Sequence, residues 1–229
     1  MNDKYRHEVK FVLSEREFAH ALSWLNTLGA NKKFVDRTVN SLYFDNITQE
    51  AVQHNLAGIA QRHKVRLRWY GDHFTHNSNP KLEIKLRDGR LGSKLVHPLS
   101  MGIEALRTRK LATITNDIFN EIRSSNFTHD SINDYLVSML LVKYRREYYE
   151  LNNGVRFTID KQIQFYDANQ NSRIDFLKPI NYSPYIIEIK FSKDYKNSVS
   201  NLLKRTRLTP KRHSKYLAGL AIVGNVSYV

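Results

Sequence analysis

The stretch Pro-Lys-Leu-Glu-Ile-Lys-Leu-Arg, residues 80–87, alternates charged and apolar side chains. Successive side chains of a β-strand point to opposite faces, so this alternation predicts a strand with one charged face and one apolar face. Two further strands are predicted at 39–45 and 92–96. The same alternation of charged and apolar residues recurs in the segments 5–13, 64–70, 142–151, 155–163 and 185–191.

Helical spacing of apolar residues separates several of these strands. Ser14 and Glu17 match a capping box that predicts the start of a first helix, and Gly29 is a typical helix end. Asn152-Asn153-Gly154 predicts a hairpin turn, and the polar stretch 71–79 predicts a loop. Further helices are predicted at 47–57, 101–110, 117–125, 132–141, 197–206 and 209–220.

The last of these helices is predicted to begin at Thr209 as N-cap, followed by Pro210 at the first helical position. The stretch 100–141 is the least β-like part of the chain, and its apolar spacing is loose. We expect residues 1–229 to form a single domain in which 100–141 is a helical insertion or cover.

The composition restricts the function. The 229 residues contain 36 Lys and Arg against 22 Asp and Glu, and the net charge of +14 indicates a polyanionic partner. The absence of cysteine excludes disulfides and thiolate metal sites. No signal peptide and no apolar run of about 20 residues is visible, so we predict a cytoplasmic protein without a membrane span.

The charged faces of the strands carry mainly Lys and Arg, whereas the opposite faces are bulky and apolar. A sheet with one solvated face would explain any single strand. The apolar stripes of the helices, however, need a surface to cover, and helices packed on the apolar face leave the charged face inside. We therefore predict an α+β fold: an antiparallel β-barrel tunnel with a charged lumen, covered by helices on the outside.

A lumen lined by cations and a few carboxylates fits a linear polyanion. Arg and Lys side chains would clamp successive phosphates, and carboxylates would hold Mg²⁺ or Mn²⁺ shared with the phosphates. Phosphoryl transfer depends mainly on positioning and charge neutralisation, so no dedicated protein nucleophile is required.

Eight segments, in this order, carry a resemblance to a known family. They are 5–11, 40–45, 64–71, 82–85, 144–146, 155–160, 186–191 and 214–216. Glu-x-Lys occurs at Glu8/Lys10, Glu83/Lys85 and Glu188/Lys190. The chain resembles the triphosphate tunnel metalloenzymes and, within them, the vacuolar transporter chaperone (VTC) polyphosphate polymerase domain. Arg6 stands where the wider superfamily often has the first Glu of Glu-x-Glu-x-Lys, which argues against its adenylate cyclase–thiamine triphosphatase branch.

The resemblance implies ATP-dependent synthesis of polyphosphate with Mn²⁺ or Mg²⁺ as cofactor. It implies catalytic roles at Lys10, Arg66, Arg68, Lys85, Arg145 and Arg156. It implies substrate-binding roles at Lys94, Lys190, Lys211, Arg212 and Lys215. It implies metal ligation mainly by Glu188, with Glu83 and Glu8.

Alternatives remain open at this point. One is a triphosphate or polyphosphate hydrolase, and another is a binding module for polyphosphate or a nucleotide without turnover. A nucleic-acid binder has only the net charge in its favour, and we expect no nucleic-acid partner because a tunnel excludes duplexes. We interpret Trp69, Tyr144, Tyr148 and Tyr149 as packing residues, not base-stacking platforms.

Overall fold

The computed structural model describes residues 6–71, 79–89, 91–127, 129–130, 132, 136–168 and 170–224. Most of the predicted loop 71–79, and residues 133–135 of the predicted helix 132–141, lie outside these residues. No helix within the described residues is long and apolar enough to cross a membrane.

The described residues form a nine-stranded antiparallel sheet with helices, an α+β architecture. The strands are β1 (His7–Leu13), β2 (Asn31–Asp45), β3 (Gln61–Tyr70), β4 (Lys81–Asp88), β5 (Leu91–Pro98), β6 (Val137–Glu150), β7 (Arg156–Asp167), β8 (Ile180–Tyr182) and β9 (Tyr185–Phe191). The helices are α1 (Glu15–Thr27), α2 (Glu50–Leu56), α3 (Ile103–Thr108), α4 (Leu111–Arg123), α5 (Lys196–Lys204) and α6 (Lys215–Ile222). The strand order is β1-β9-β7-β6-β2-β3-β4-β5, and β8 pairs with β7.

The sheet is strongly curved, but it is not closed into a barrel, so the predicted closure is wrong. The strands at the two ends of the order, β1 and β5, meet at a single bridge between Arg6 and Gly92. No ladder extends from this bridge among the described residues. Side chains connect the two sides instead, because Glu8 of β1 lies 3.2 Å from the Lys85 ammonium of β4 and also contacts Arg87.

The outer face of the sheet is apolar and covered by helices, as predicted. Helices α3 and α4 pack on β2, β3 and β4 around Leu42, Leu67 and Ile114. Helix α1 packs on β1, β7 and β9 around Phe11 and Phe157. The charged face of these strands therefore points to the concave side of the sheet.

Helix α6 covers one half of the concave face. Tyr216 stacks on Tyr43 of β2 with ring centroids 4.9 Å apart, and its hydroxyl donates to Asp45 at 2.9 Å. Gly219 permits this close approach, since a Cβ at that position would lie only 2.7 Å from Phe165 Cδ1. The half of the concave face that α6 leaves uncovered carries the charged residues.

Local sequence signals correctly predicted element ends in two places. The capping box at Ser14 is present, with Glu17 N–H donating to Ser14 Oγ and the Glu17 carboxylate accepting from Ser14 N–H. The turn at 152–154 is also present, and Gly154 adopts a φ of +81° there. Leu151 N–H donates to the Val155 carbonyl at 2.9 Å and closes the hairpin.

Three predicted helices differ from the structure. The predicted helix 117–125 is the later part of α4, which begins six residues earlier at Leu111. The segment 137–141 of the predicted helix 132–141 belongs to β6, which is buried on both faces between the α4 and α6 layers. A strand buried on both faces loses the apolar–polar alternation, so its apolar run is indistinguishable from a buried helix. Helix α6 starts at Lys215 with Ser214 as N-cap, not at Thr209, because Lys211 N–H donates to the Lys10 carbonyl and holds this segment against β1.

Candidate functional site

The uncovered half of the concave face forms a cavity of about 1120 Å³. Side chains from β1, β3, β4, β6 and β9 line it, and α5 and the segment 210–215 form another wall. The predicted site residues that line this chamber are Lys10, Arg66, Arg68, Lys85, Lys190, Lys211, Arg212, Lys215, Glu8 and Glu188.

Arg66 and Arg68 of β3 occupy the centre of the chamber, and anionic and hydroxyl partners fix their guanidinium groups. Arg66 donates to Glu83 from Nε at 2.9 Å and from Nη2 at 2.6 Å, while its Nη1 donates to the Tyr43 hydroxyl at 3.2 Å. Arg68 donates to Ser41 Oγ at 3.2 Å. Burial of Glu83 opposes its ionisation, but Arg66 and Arg68 outweigh that effect and hold the pKa of its carboxyl well below its usual range.

A second buried cluster joins β6, β7 and α6. Arg146 donates to both carboxylate oxygens of Asp160, at 2.5 Å and 2.8 Å, and Lys215 donates to Asp160 as well. Burial of Asp160 opposes ionisation, but Arg146 and Lys215 outweigh it and keep the pKa of Asp160 well below its usual range. The cluster therefore carries two cations and one anion, a surplus of positive charge that faces the chamber.

Four lysines of the chamber have strongly lowered pKa values, and burial among other cations holds the pKa of Lys85 well below its usual range. Burial, followed by the charge of neighbouring cations, lowers the pKa of Lys10, Lys64 and Lys190 to about 7. Lys10 Nζ donates to the His213 carbonyl at 3.1 Å, and Lys64 Nζ donates to Ser214 Oγ at 2.7 Å. Lys10 also lies 3.2 Å from Glu8, and Lys190 lies 3.4 Å from Glu188, but other cations share both carboxylates. An anion in the chamber would therefore favour the charged form of these lysines.

The Glu188 carboxylate in the chamber is incompletely hydrogen-bonded. Its Oε2 lies 3.8 Å from Arg146, and its Oε1 lies 3.4 Å from Lys190 but has no hydrogen-bond partner among the described residues. Thr158 Oγ1, on the residue directly opposite in β7, is likewise buried without such a partner in that part of the chain. Buried oxygens left unsatisfied in this way fit a bound cation or its water ligands.

The other two predicted metal ligands are each paired with several cations. Glu8 is surrounded by Lys10, Lys85 and Arg87, and Glu83 lies behind Arg66 and Arg68. No group of three or more His, Asp or Glu side chains converges within the described ranges. Glu188 has an unsatisfied oxygen and would fit a divalent cation as its main protein ligand, with phosphate oxygens and water among the remaining ligands.

Three predicted residues lie outside the chamber. Lys94 lies 3.1 Å from Glu83 with its own side chain largely exposed. Arg156 is exposed and pairs with Glu150 at 3.3 Å. Arg145 is half exposed and lies 3.5 Å from Asp36.

The placement of Arg145 corrects the predicted facing of β6. Its even-numbered residues face the concave side, so Tyr144 and Arg146 line the chamber. The alternating charges of Lys143, Arg145 and Glu147 belong to the opposite face. Lys64 and Arg87 also line the chamber. Each lies two residues from a predicted site residue on the same strand, Arg66 or Lys85, so the alternation of side chains could have identified both.

Comparisons with known proteins agree with this geometry. The sequence profile of the VTC domain matches residues 5–224. No curated protein matches the chain significantly in sequence.

Solved structures with a similar fold have low sequence identity. A Hippeastrum protein, described as a candidate adenylyl cyclase with a dominant triphosphatase activity, is 16% identical with a TM-score of 0.53, and the alignment covers 97% of both chains. The PH1819 protein from Pyrococcus horikoshii is 12% identical with a TM-score of 0.52, over 95% of this chain and 98% of that one. A candidate adenylate cyclase from Vibrio parahaemolyticus is 8% identical with a TM-score of 0.52, over 94% and 97%.

Proposed function

Because the chain belongs to the VTC domain family, we propose that its chamber binds ATP and inorganic polyphosphate and transfers phosphoryl groups between them. The observation that carries the proposal is the excess of cations around one incompletely bonded carboxylate in a cavity of about 1120 Å³. A linear chain of phosphates matches this arrangement, since each phosphate brings negative charge and several acceptor oxygens. Residues 1–229 act as one domain in this proposal, and the cytoplasm remains the expected location.

Arg66, Arg68 and Arg146 would bind phosphate oxygens. Each is already oriented by a carboxylate or hydroxyl partner, so little side-chain entropy is lost when phosphate binds. These groups supply the positioning and charge neutralisation on which phosphoryl transfer depends. Lys10, Lys64, Lys85 and Lys190 would neutralise the remaining charge of the chain.

Glu188 would hold the divalent cation, Mn²⁺ or Mg²⁺, that a triphosphate substrate brings with it. Such a cation would supply Lewis-acid neutralisation of the phosphate charge. Lys190 and Arg146 flank Glu188 and would keep the carboxylate ionised and directed into the chamber. Lys211, Arg212 and Lys215 would bind the phosphate chain at the wall formed by 210–215.

The test is to incubate the purified chain with ATP and Mn²⁺ or Mg²⁺ and to resolve the products by ³¹P NMR. Internal phosphate signals that grow with time are expected. Orthophosphate and ADP alone would indicate a triphosphate hydrolase built on the same chamber. Triphosphate binding without any product, in either metal, would indicate a binding module and contradict the proposed transfer.

A pair of variants connects the activity to this chamber. Glu188→Gln keeps the size of the side chain and removes its charge, so turnover should fall by at least two orders of magnitude, in line with the loss of a metal ligand. Glu104→Gln changes an exposed carboxylate on α3 that pairs with Arg107, and turnover should not change. Equal activity of the two variants would place the metal elsewhere.

A further inference from the structure

An aromatic cluster lies on β2, β3 and β6, beyond the arginines of the chamber. The Arg37 guanidinium lies 5.8 Å from the Phe34 ring centroid and 5.9 Å from that of Tyr70. The rings of Phe34 and Tyr148 meet edge to face with centroids 5.8 Å apart. We call Phe34, Arg37, Tyr70 and Tyr148 the aromatic platform.

The platform is continuous with the chamber through the sheet. In register, Glu188 of β9 is opposite Thr158 of β7, Thr158 is opposite Tyr148 of β6, and Tyr148 is opposite Phe34 of β2. Neighbouring strands are about 4.8 Å apart, which places Tyr148 about 10 Å and Phe34 about 14 Å from Glu188 along this row.

The positions of the two tyrosines relative to the chamber arginines also show that the platform adjoins the chamber. Tyr70 follows Arg68 by two residues on β3, and Tyr148 follows Arg146 by two residues on β6. Residues two apart in a strand share a face, so both tyrosines extend the concave face that carries the arginines. A molecule bound to Arg68 and Arg146 therefore has the platform as its neighbour.

The aromatic rings of the platform are more exposed to solvent than those of the core. Phe34 is 52% exposed and Tyr70 is 39% exposed, whereas Phe11, Phe157 and Phe165 are almost completely buried. Single exposed aromatic side chains are common, but several rings gathered around one guanidinium form a contiguous surface that presents both ring faces and a planar cation. Such a surface suits a flat, polarisable ring, because bases stack on aromatic side chains and on arginine planes.

We propose that the aromatic platform binds the base of a nucleoside triphosphate whose phosphates lie on Arg66, Arg68 and Arg146. This inference deepens the proposed function and rests on it for the position of the phosphates. The platform adds recognition of the base, by which the chain would distinguish ATP from inorganic tripolyphosphate. Tyr148 accordingly has a ligand-binding role and not only the packing role that its sequence context suggests.

The experiment measures equilibrium binding of ATP and of inorganic tripolyphosphate to the full chain, by calorimetry in EDTA so that no metal contributes. Phe34→Ala should weaken ATP binding roughly tenfold, as expected for the loss of one base–aromatic stack. It should leave tripolyphosphate binding unchanged. Phe34→Leu keeps an apolar side chain but removes the ring, and it should resemble Phe34→Ala.

Phe176→Ala is the matched control. Phe176 is also exposed, at 66%, and also lies under a guanidinium, that of Arg173. It belongs to a short 3-10 helix, Ile174–Phe176, and not to the strands that carry the platform. This variant should bind both ligands as the unmodified chain does.

The outcomes separate the two proposals. If the unmodified chain binds tripolyphosphate but Phe34→Ala and Phe34→Leu bind ATP normally, the base platform is overturned and the phosphate chamber stands. An equal loss of affinity for both ligands in these variants would also overturn the platform, because the effect would then lie in the phosphate site or in the fold. If the unmodified chain binds neither ligand, the proposed function itself fails, and the platform fails with it.

Discussion

At the scale of single residues, Asp160 illustrates how the chamber holds an excess of buried charge. It is fully buried and shared by Arg146 and Lys215, which come from different elements. Removing the charge leaves two cations without their anion, and such a loss destabilises strongly because uncompensated buried charge remains. We predict that Asp160→Asn lowers the free energy of unfolding by about 3 kcal/mol, measured by urea denaturation.

Glu150→Gln provides the control for that prediction. Glu150 pairs with Lys33 and Arg156, whose side chains are more than half exposed, and such pairs contribute less than about 1 kcal/mol. Equal stability of Asp160→Asn and Glu150→Gln would mean that water in the chamber replaces the missing anion.

Arg145 and Arg146 are neighbours on β6 with opposite environments, and they provide a test of the concave face. Arg146→Ala should weaken tripolyphosphate binding roughly tenfold or more, since a charge-assisted bond to phosphate is lost. Arg145→Ala should change the affinity less than about twofold, because this exposed side chain pairs with Asp36. The reverse order of effects would show that Arg145 reaches the ligand.

These two residues also show what the sequence could and could not predict about the site. Alternating charges identified β1, β3, β4 and β9 and the residues that face the chamber from them. In β6 the alternating charges lie on the opposite, partly exposed face, whereas the inner face carries Leu140, Val142, Tyr144 and a single Arg. Strand alternation separates the two faces but does not say which one is inside, so Arg146 required the fold.

At the scale of elements, α6 decides how much of the concave face remains open. It is a short helix whose position depends on the close approach of Gly219 to Leu140 and Phe165. Alanine in a helix interior is normally more favourable than glycine by about 1 kcal/mol. Here the added Cβ has no space, so we predict that Gly219→Ala destabilises the chain by about 1–3 kcal/mol in urea denaturation.

Asn201→Ala on α5 is the comparison for that prediction. Asn201 is exposed on its helix, so alanine should be neutral or slightly stabilising there, as helix propensity requires. A stabilising effect of both substitutions would show that α6 can shift outward without loss of packing.

Helix α6 was also the element whose start the sequence predicted least well. Thr209-Pro210 is a typical start signal, yet 209–214 runs as irregular chain along β1 and into the chamber wall. The packing of this segment depends on the Lys10 carbonyl, which accepts from Lys211 N–H although the two residues are 201 positions apart in sequence. A local signal cannot report such a long-range contact, which explains why caps were predicted correctly at Ser14 and incorrectly here.

At the scale of the whole molecule, the stability of the empty chain and its affinity for phosphate should depend on pH in opposite directions. Lys10, Lys64 and Lys190 have pKa values of about 7 in the folded chain, against 10.5 as their ordinary value. Above pH 7 the unfolded chain therefore holds more protons than the folded chain, and stability rises with pH between about 7 and 10. A bound polyanion raises these pKa values, so binding takes up protons in the same range.

We therefore predict that tripolyphosphate binds more weakly as the pH rises from 7 to 9, with proton uptake visible as a buffer-dependent enthalpy in calorimetry. Tripolyphosphate itself gains negative charge over this range, which alone would strengthen binding, so the direction of the change identifies the lysines. Lys85 is a fourth chamber lysine with a lowered pKa, and Lys64→Arg keeps a permanent charge at one of these four positions. This variant should therefore reduce both the pH dependence and the proton uptake. An affinity that increases with pH, or a Lys64→Arg variant with unchanged proton uptake, would show that the lysines of the empty chamber are already charged.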